Sequence, residues 1–225
     1  MTDSTTAQRI LVWDIPTRLF HWLLAGSFAG AFLTAESERL RDVHVALGYT
    51  FAGLIAFRLV WGLIGSRYAR FRSFLFAPRE LWGYLRALPT RAPRRYLGHN
   101  PAGGAAIFVL LALGLGITAT GYATFNDLGG EALEELHEGL AFAMLAVVAV
   151  HVAGVLLSSV LHRENLVTAM IHGRKSGGPG EGIRGHHAWV AVLLAVAVAA
   201  FLSWYPATLA PASRAAATHD TGERG

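Results

Sequence analysis

Four histidines stand where an apolar chain does not tolerate them without partners: His21, His44, His137 and His151. Each falls inside or at the rim of a long hydrophobic run, and an imidazole buried without a partner is costly there. His137 and His151 are the most informative pair. Fourteen residues of helix rise about 21 Å and miss whole revolutions by roughly 40°, so both rings project from one face at different depths. Paired imidazoles at two depths are the ligand set for two bis-histidine haem irons, because neutral nitrogen donors suit iron in an apolar setting. A proton or divalent-metal pathway also uses intramembrane histidine but normally adds carboxylates. Here the apolar runs offer only Glu138, beside His137 at the rim.

The elements that must position these rings are membrane helices. The chain has 225 residues, 53% hydrophobic and only 15% charged, against about a quarter charged in ordinary soluble domains. Five apolar runs are long enough to span a bilayer, at about 17–35, 43–64, 101–125, 137–160 and 188–205. The first fifteen residues lack the apolar core and cleavage site of a signal peptide, so the first run is expected to stay as a span. There is no cysteine, which removes disulfides, thiolate metal sites, iron–sulfur clusters and covalent c-type haem attachment. Of the 19 basic residues, 18 are arginine and one is Lys175. They flank the apolar runs, a topology signal rather than a nucleic-acid footprint, and no nucleic-acid partner is expected.

Charge then orients the spans. The connection 65–100 carries eight arginines against one acid, Glu80, and its stretch APRELWGYLRAL predicts an amphipathic surface helix. The stretch 126–136, NDLGGEALEEL, has four acids and no base, and 161–187 is basic again. The positive-inside rule places the N terminus, 65–100 and 161–187 in the bacterial cytoplasm, with the C terminus periplasmic. This orientation pairs His21 with His151 at the inner level and His44 with His137 at the outer level. The expected organisation is a four-helix di-haem domain over 1–176, a linker over 177–187 flexible by its glycine content, a fifth span at 188–205, and a disordered tail over 206–225. Glycines crowd the spans, among them Gly26 and Gly30 in GxxxG spacing, where a porphyrin or a neighbouring helix approaches the backbone. Arg58, inside the second run, and Arg18 are candidates for pairing haem propionates, with snorkelling to the interface as the competing reading.

The stretches VWDIPTRLFHW, VHVALGY, FRLVWGLIGSRYARF, GHNPAGGAAIF, TATGY, LHEGLAFAMLAVVAVHVAG and ENLVTAMIHGRKS run in one order over about residues 10–176. In these the chain resembles bacterial-type cytochrome b561, and especially the b-type cytochrome subunit of membrane nickel–iron hydrogenases. The resemblance implies an all-α membrane protein, a four-helix bundle with two haem b groups ligated by His21, His44, His137 and His151. It also implies electron transfer between a membrane quinone and a periplasmic redox protein. His99, in GHNP, matches a family stretch at the inner level, where it is a candidate for a propionate or quinone contact, or for capping the third span with Asn100. The short acidic 126–136 stretch and the fifth span depart from the hydrogenase subunits and point to a smaller partner, such as a soluble cytochrome c, beside a hydrogenase-like one. Two other readings stay open: an oxidoreductase acting directly on a small molecule such as superoxide at its outer haem, and a haem-free transporter.

Overall fold

The computed structural model describes residues 8–90 and 94–222, with side chains up to residue 205. In chain order its elements are β1 (Gln8–Leu11), α1 (Ile15–Thr34), α2 (Arg41–Ile64), α3 (Pro78–Ala87), α4 (Pro101–Phe125), α5 (Gly130–Leu161), α6 (Leu166–His172), β2 (Arg174–Gly177) and α7 (Ala188–Gly222). Helix starts follow from local sequence. The Asp14 carboxylate accepts from Thr17 N at 2.8 Å ahead of Pro16, and Asn100 Oδ1 accepts from Gly103 N at 2.7 Å ahead of Pro101. Each is a capping side chain followed by a proline whose missing N–H costs nothing in the first turn. Asn165 caps α6 through its side chain alone, with no proline following, and Gly173 ends it at a φ of 79°, in the left-handed region glycine favours.

Short connections make α1 with α2, and α4 with α5, antiparallel hairpins. The two hairpins meet where α2 packs on α4, around a core of Phe51, Ile55, Leu111 and Met144. Close approach of α4 to the Phe71–Ser73 turn region depends on Gly104, whose Cβ would lie 2.7 Å from the Phe74 carbonyl oxygen. Backbone cannot yield there as a side-chain tip can. A Gly104→Leu chain is therefore expected to lose about 1–3 kcal/mol of stability, read as a lowered melting midpoint in detergent.

The fold is an all-α membrane bundle. Among the described residues, Glu38–Ile64, Pro101–Phe125, Gly130–Leu161 and Ala188–Tyr205 are long and apolar enough to cross a membrane. Five spans were expected, and α1 falls short on composition because Arg18 and His21 dilute its 20 residues. It nevertheless packs along α2 and α7, with Phe20, Leu54 and Leu194 buried together. Exposed Leu63, Ile64, Val150, Val160, Val192 and Leu193 form the apolar exterior such a bundle presents to lipid. The expected amphipathic helix is α3, with Tyr84 buried against the bundle and Trp82 exposed.

Three features depart from expectation. The acidic stretch 126–136 is not all loop, because α5 begins at Gly130 and only 126–129 connect it to α4. EALEELHEG is rich in helix formers, and Glu131 in the first turn complements the helix dipole. The segment after residue 176 is fastened rather than loose: Ile183 N donates to Leu11 O at 2.8 Å, Ile15 N to His186 O at 3.1 Å, and Tyr68 Oη to Glu181 O at 2.8 Å. Its anchor is an antiparallel ribbon of β1 and β2, with Gln8 opposite Gly177 and Leu11 opposite Arg174. Lastly, the backbone of α7 continues to Gly222, whereas the expected disordered tail falls on side chains and terminal residues outside those described.

Candidate functional site

The acidic end of the bundle holds His44 and His137. His44 lies in the first turn of α2, and His137 two turns into α5, because that helix starts earlier than expected. His44 Nδ1 donates to the Ala31 carbonyl at 2.8 Å, and His137 Nδ1 to the Ile117 carbonyl at 3.1 Å. A ring nitrogen facing a carbonyl carries the proton, so each ring keeps its Nε2 lone pair for another use. Such a bond through the second nitrogen is how metal-bound imidazoles are oriented. Thr120 Oγ1 adds a contact 3.1 Å from His137 Nδ1. The two rings stand 6.3 Å apart between centroids, at 80°. Two imidazoles holding one metal at roughly 2 Å each place their centroids about 6 Å apart, so the pair fits a shared iron. Gly121 leaves room for this, since a Cβ there would lie 2.8 Å from His137 Cε1.

The arginine-rich end gathers His21 from α1, Arg58 from α2, His99 just before α4, and His151 from α5. The His99 ring lies between Trp13 and Phe74, with centroids 4.6 Å from each. Its pKa is pushed down to about 3, first by burial and then by the positive charges of Arg58 and Lys175, with His151 and His21 as further neighbours. These groups therefore share one neighbourhood, and His99 is neutral there. Arg58 is only 4% exposed and packs its guanidinium 4.7 Å from the Phe71 ring centre. Buried atoms without a hydrogen-bond partner concentrate at this end: His21 Nδ1, Arg58 Nη1, Ser66 Oγ, Arg70 Nε and His99 Nδ1. Protein interiors leave few such groups unsatisfied, and these donors suit a ligand carrying carboxylates. The fit to a haem with propionates at this end is good.

Arg18 is engaged elsewhere. Its Nε donates to Asp14 O at 3.4 Å and its Nη1 to the Ile171 carbonyl, which fastens the end of α6 to α1. Asn100 caps α4, leaving His99 beside it free of that task. Among the described residues, no group of three or more His, Asp or Glu side chains converges, so histidine pairs are the available donor sets.

Two residues central to this end were not singled out from the sequence. Asp14 is fully buried, capping α1 with one oxygen while Trp61 Nε1 donates to the other at 3.2 Å. Its signal was the DIP tripeptide, an acid one residue ahead of Ile-Pro, which is a helix-start pattern. Lys175, also buried, carried no signal beyond being the chain's single lysine.

Comparison with known proteins agrees with this architecture. The probable Ni/Fe-hydrogenase B-type cytochrome subunit of Azotobacter vinelandii is 26% identical over 212 residues, covering 73% of this chain and 87% of the relative. The protein of the same description from Rhizobium leguminosarum is 23% identical, covering 75% and 89%. The probable Ni/Fe-hydrogenase 1 B-type cytochrome subunit of Escherichia coli K12 is 25% identical over 143 residues, covering 52% and 60%. No solved structure matches. Residues 12–173 match the family described as prokaryotic cytochrome b561, a span that takes in α1 through α6, His21, His44, His137, His151 and the capping Asp14, and the chain belongs to that family.

Proposed function

We propose that the chain carries electrons across the membrane through two haem b groups, one ligated by His21 and His151 and the other by His44 and His137. Membership of the cytochrome b561 family makes it a haem b protein of the membrane. The observation that carries the two-haem reading is the outer pair, with rings 6.3 Å apart and each Nδ1 on a backbone carbonyl. His151 stands fourteen residues on from His137 on the same helix, about 21 Å along its axis, which suits a second site near the other face of a bilayer.

Bound haem would supply one-electron iron chemistry at each level. The chain's residues do the rest. His44 and His137 are held in one tautomer by Ala31 and Ile117. Arg58, buried with its Nη1 unbonded, pairs a propionate at the inner level, and His99 contacts that propionate or a quinone. Arg18 holds α6 in place instead. The basic stretches 65–100 and 161–187 orient the arginine-rich end to the bacterial cytoplasm, with the acidic end facing the periplasm. Quinone is the expected membrane substrate at the inner level. A hydrogenase, as in the names of the relatives, or a small cytochrome c is the periplasmic partner, and the acids of the first α5 turns favour a basic docking surface.

Purified protein from haem-replete cells is expected to give a pyridine haemochrome count of two haem b per chain, and a short-chain quinol is expected to reduce that haem. One haem per chain would remove one histidine pair from the assignment. No reduction by quinol would remove quinone as the substrate.

A further inference from the structure

The chain places arginine at 18 of its 19 basic positions, and the exception, Lys175, is buried. In β2 it stands opposite Ile10 and turns inward, 5% exposed. Its Nζ donates to the Tyr96 carbonyl at 3.0 Å and lies 3.8 Å from Glu164 Oε2. Glu164 is shared, because Arg95 reaches the same oxygen at 3.1 Å and Ser176 N donates to Oε1 at 2.8 Å. With Asn100, Ser158 and His162 these side chains line a small polar cleft with room for water, open beside half-exposed Arg95. Asn100 adjoins His99 and donates to Tyr84 Oη at 2.8 Å and Ser158 Oγ at 3.5 Å. Ser158 lies two turns beyond His151 on the same face of α5. The cleft thus runs inward from the arginine-rich surface to Gly98 and Asn100, the two residues that flank His99.

Charge alone does not explain a lysine here. Most of the arginines flank the apolar runs as topology signals, and a buried ion costs free energy that an apolar side chain avoids. Lysine differs from arginine in one relevant respect: its ammonium releases a proton when desolvated, whereas guanidinium does not. The charged and titratable groups facing Lys175 are Glu164 and His162 from the α5–α6 connection, and Arg95 and His99 from the segment before α4. Burial pushes the Lys175 ammonium below the ordinary lysine range, Glu164 offsets part of that, and Arg95 adds to it.

We propose that Lys175 is the proton-exchanging residue of the arginine-rich end, passing protons between the cleft and a quinone that reacts at the inner level. The proposal rests on the quinone-linked reading above. Oxidation of one quinol to its quinone releases two electrons, taken one at a time by the chain's two one-electron centres, and two protons. Each proton passes from the quinol to the Lys175 Nζ as that group gives up a proton by way of Glu164 or His162 to water, so Lys175 ends in its starting state. Reduction of a quinone draws the same two protons inward.

Because Lys175 is the only lysine, the full chain labelled with 15N-lysine in nanodiscs gives a single Nζ resonance. Its titration is expected below the free-lysine value of about 10.4, and lower still in Glu164→Gln, which removes the facing negative charge. A Lys175→Arg chain keeps the cation but not the exchangeable proton. It is expected to hold wild-type haem and to accept electrons normally from an artificial one-electron donor, while its reduction by a short-chain quinol slows at least about tenfold. Wild-type quinol rates in Lys175→Arg would overturn the relay alone, as would an Nζ that titrates at or above the free-lysine value. If wild-type chain accepts no electrons from quinol, the quinone-linked reading falls and the relay falls with it. Should Lys175→Arg lose haem, the Nζ titration of the wild-type chain decides.

Discussion

A His151→Ala chain is expected to keep one haem b and lose the other, and His137→Ala to do the same at the opposite end. The proposed pairs are expected to load independently, because they lie at opposite ends of α5 and take separate partners, His21 from α1 for the inner and His44 from α2 for the outer. In each variant the haemochrome count falls from two per chain to one. Transmembrane electron transfer in proteoliposomes falls to background, since neither level alone bridges the bilayer. The remaining haem also identifies itself. In His151→Ala it is the outer one, which a further Thr120→Val change, removing the hydroxyl 3.1 Å from His137 Nδ1, is expected to bind about 10–100-fold more weakly. The same Thr120→Val change in His137→Ala leaves the inner haem untouched. Loss of both haems from either single variant would mean that the levels do not load separately.

The second large effect is expected at Asp14, which touches no proposed haem ligand. Its fully buried carboxylate caps α1 through Thr17, accepts from Trp61 on α2, and lies 4.0 Å from His187 at the start of α7. It is also the negative charge electrically coupled to buried Arg58. Removing a cap costs about 1 kcal/mol, and stranding a buried donor a further 1–3 kcal/mol. Asp14→Ala is therefore expected to lose about 2–4 kcal/mol, seen as a detergent melting midpoint lowered by roughly 5–15 °C. Asp14→Asn retains a capping oxygen and is expected to recover part of that loss. A midpoint within about 1 °C of wild type in Asp14→Ala would show that the caps and the Trp61 bond carry little of the stability.

The bundle was legible because membrane helices announce themselves: long apolar runs, histidines that interrupt them, and arginines concentrated at one end. His137 and His151 could be set at two depths by arithmetic along α5, and His44 beside His137 by the alternation of the loops. Composition misled in three places. Arg18 and His21 make α1 the least apolar of the expected spans, although its packing on α2 and α7 places it in the bundle. Four acids made 126–136 read as a loop, while the helix-forming leucines and alanines among them extend α5 toward α4. Glycines made 177–187 read as loose, although its backbone amides and carbonyls find partners on β1, Tyr68 and Ile15. The β1–β2 ribbon and the placement of Lys175 depend on pairing between residues more than 160 positions apart. No local pattern encodes that.

That ribbon imposes an order of assembly. β1 leaves the ribosome before any of the helices, yet its partner at Arg174–Gly177 is synthesised only after α1 through α6 are complete. Contacts this distant in sequence form late, after the loop they close has been shortened by the structure between them. The Val12–Trp13 segment, bonded to the carbonyl of Gly173, must therefore wait through the insertion of every helix of the four-helix core. Until then the arginine-rich end of the bundle stays open while the acidic end can already close. A cofactor entering there does so in that interval, or later through local unzipping of four residue pairs.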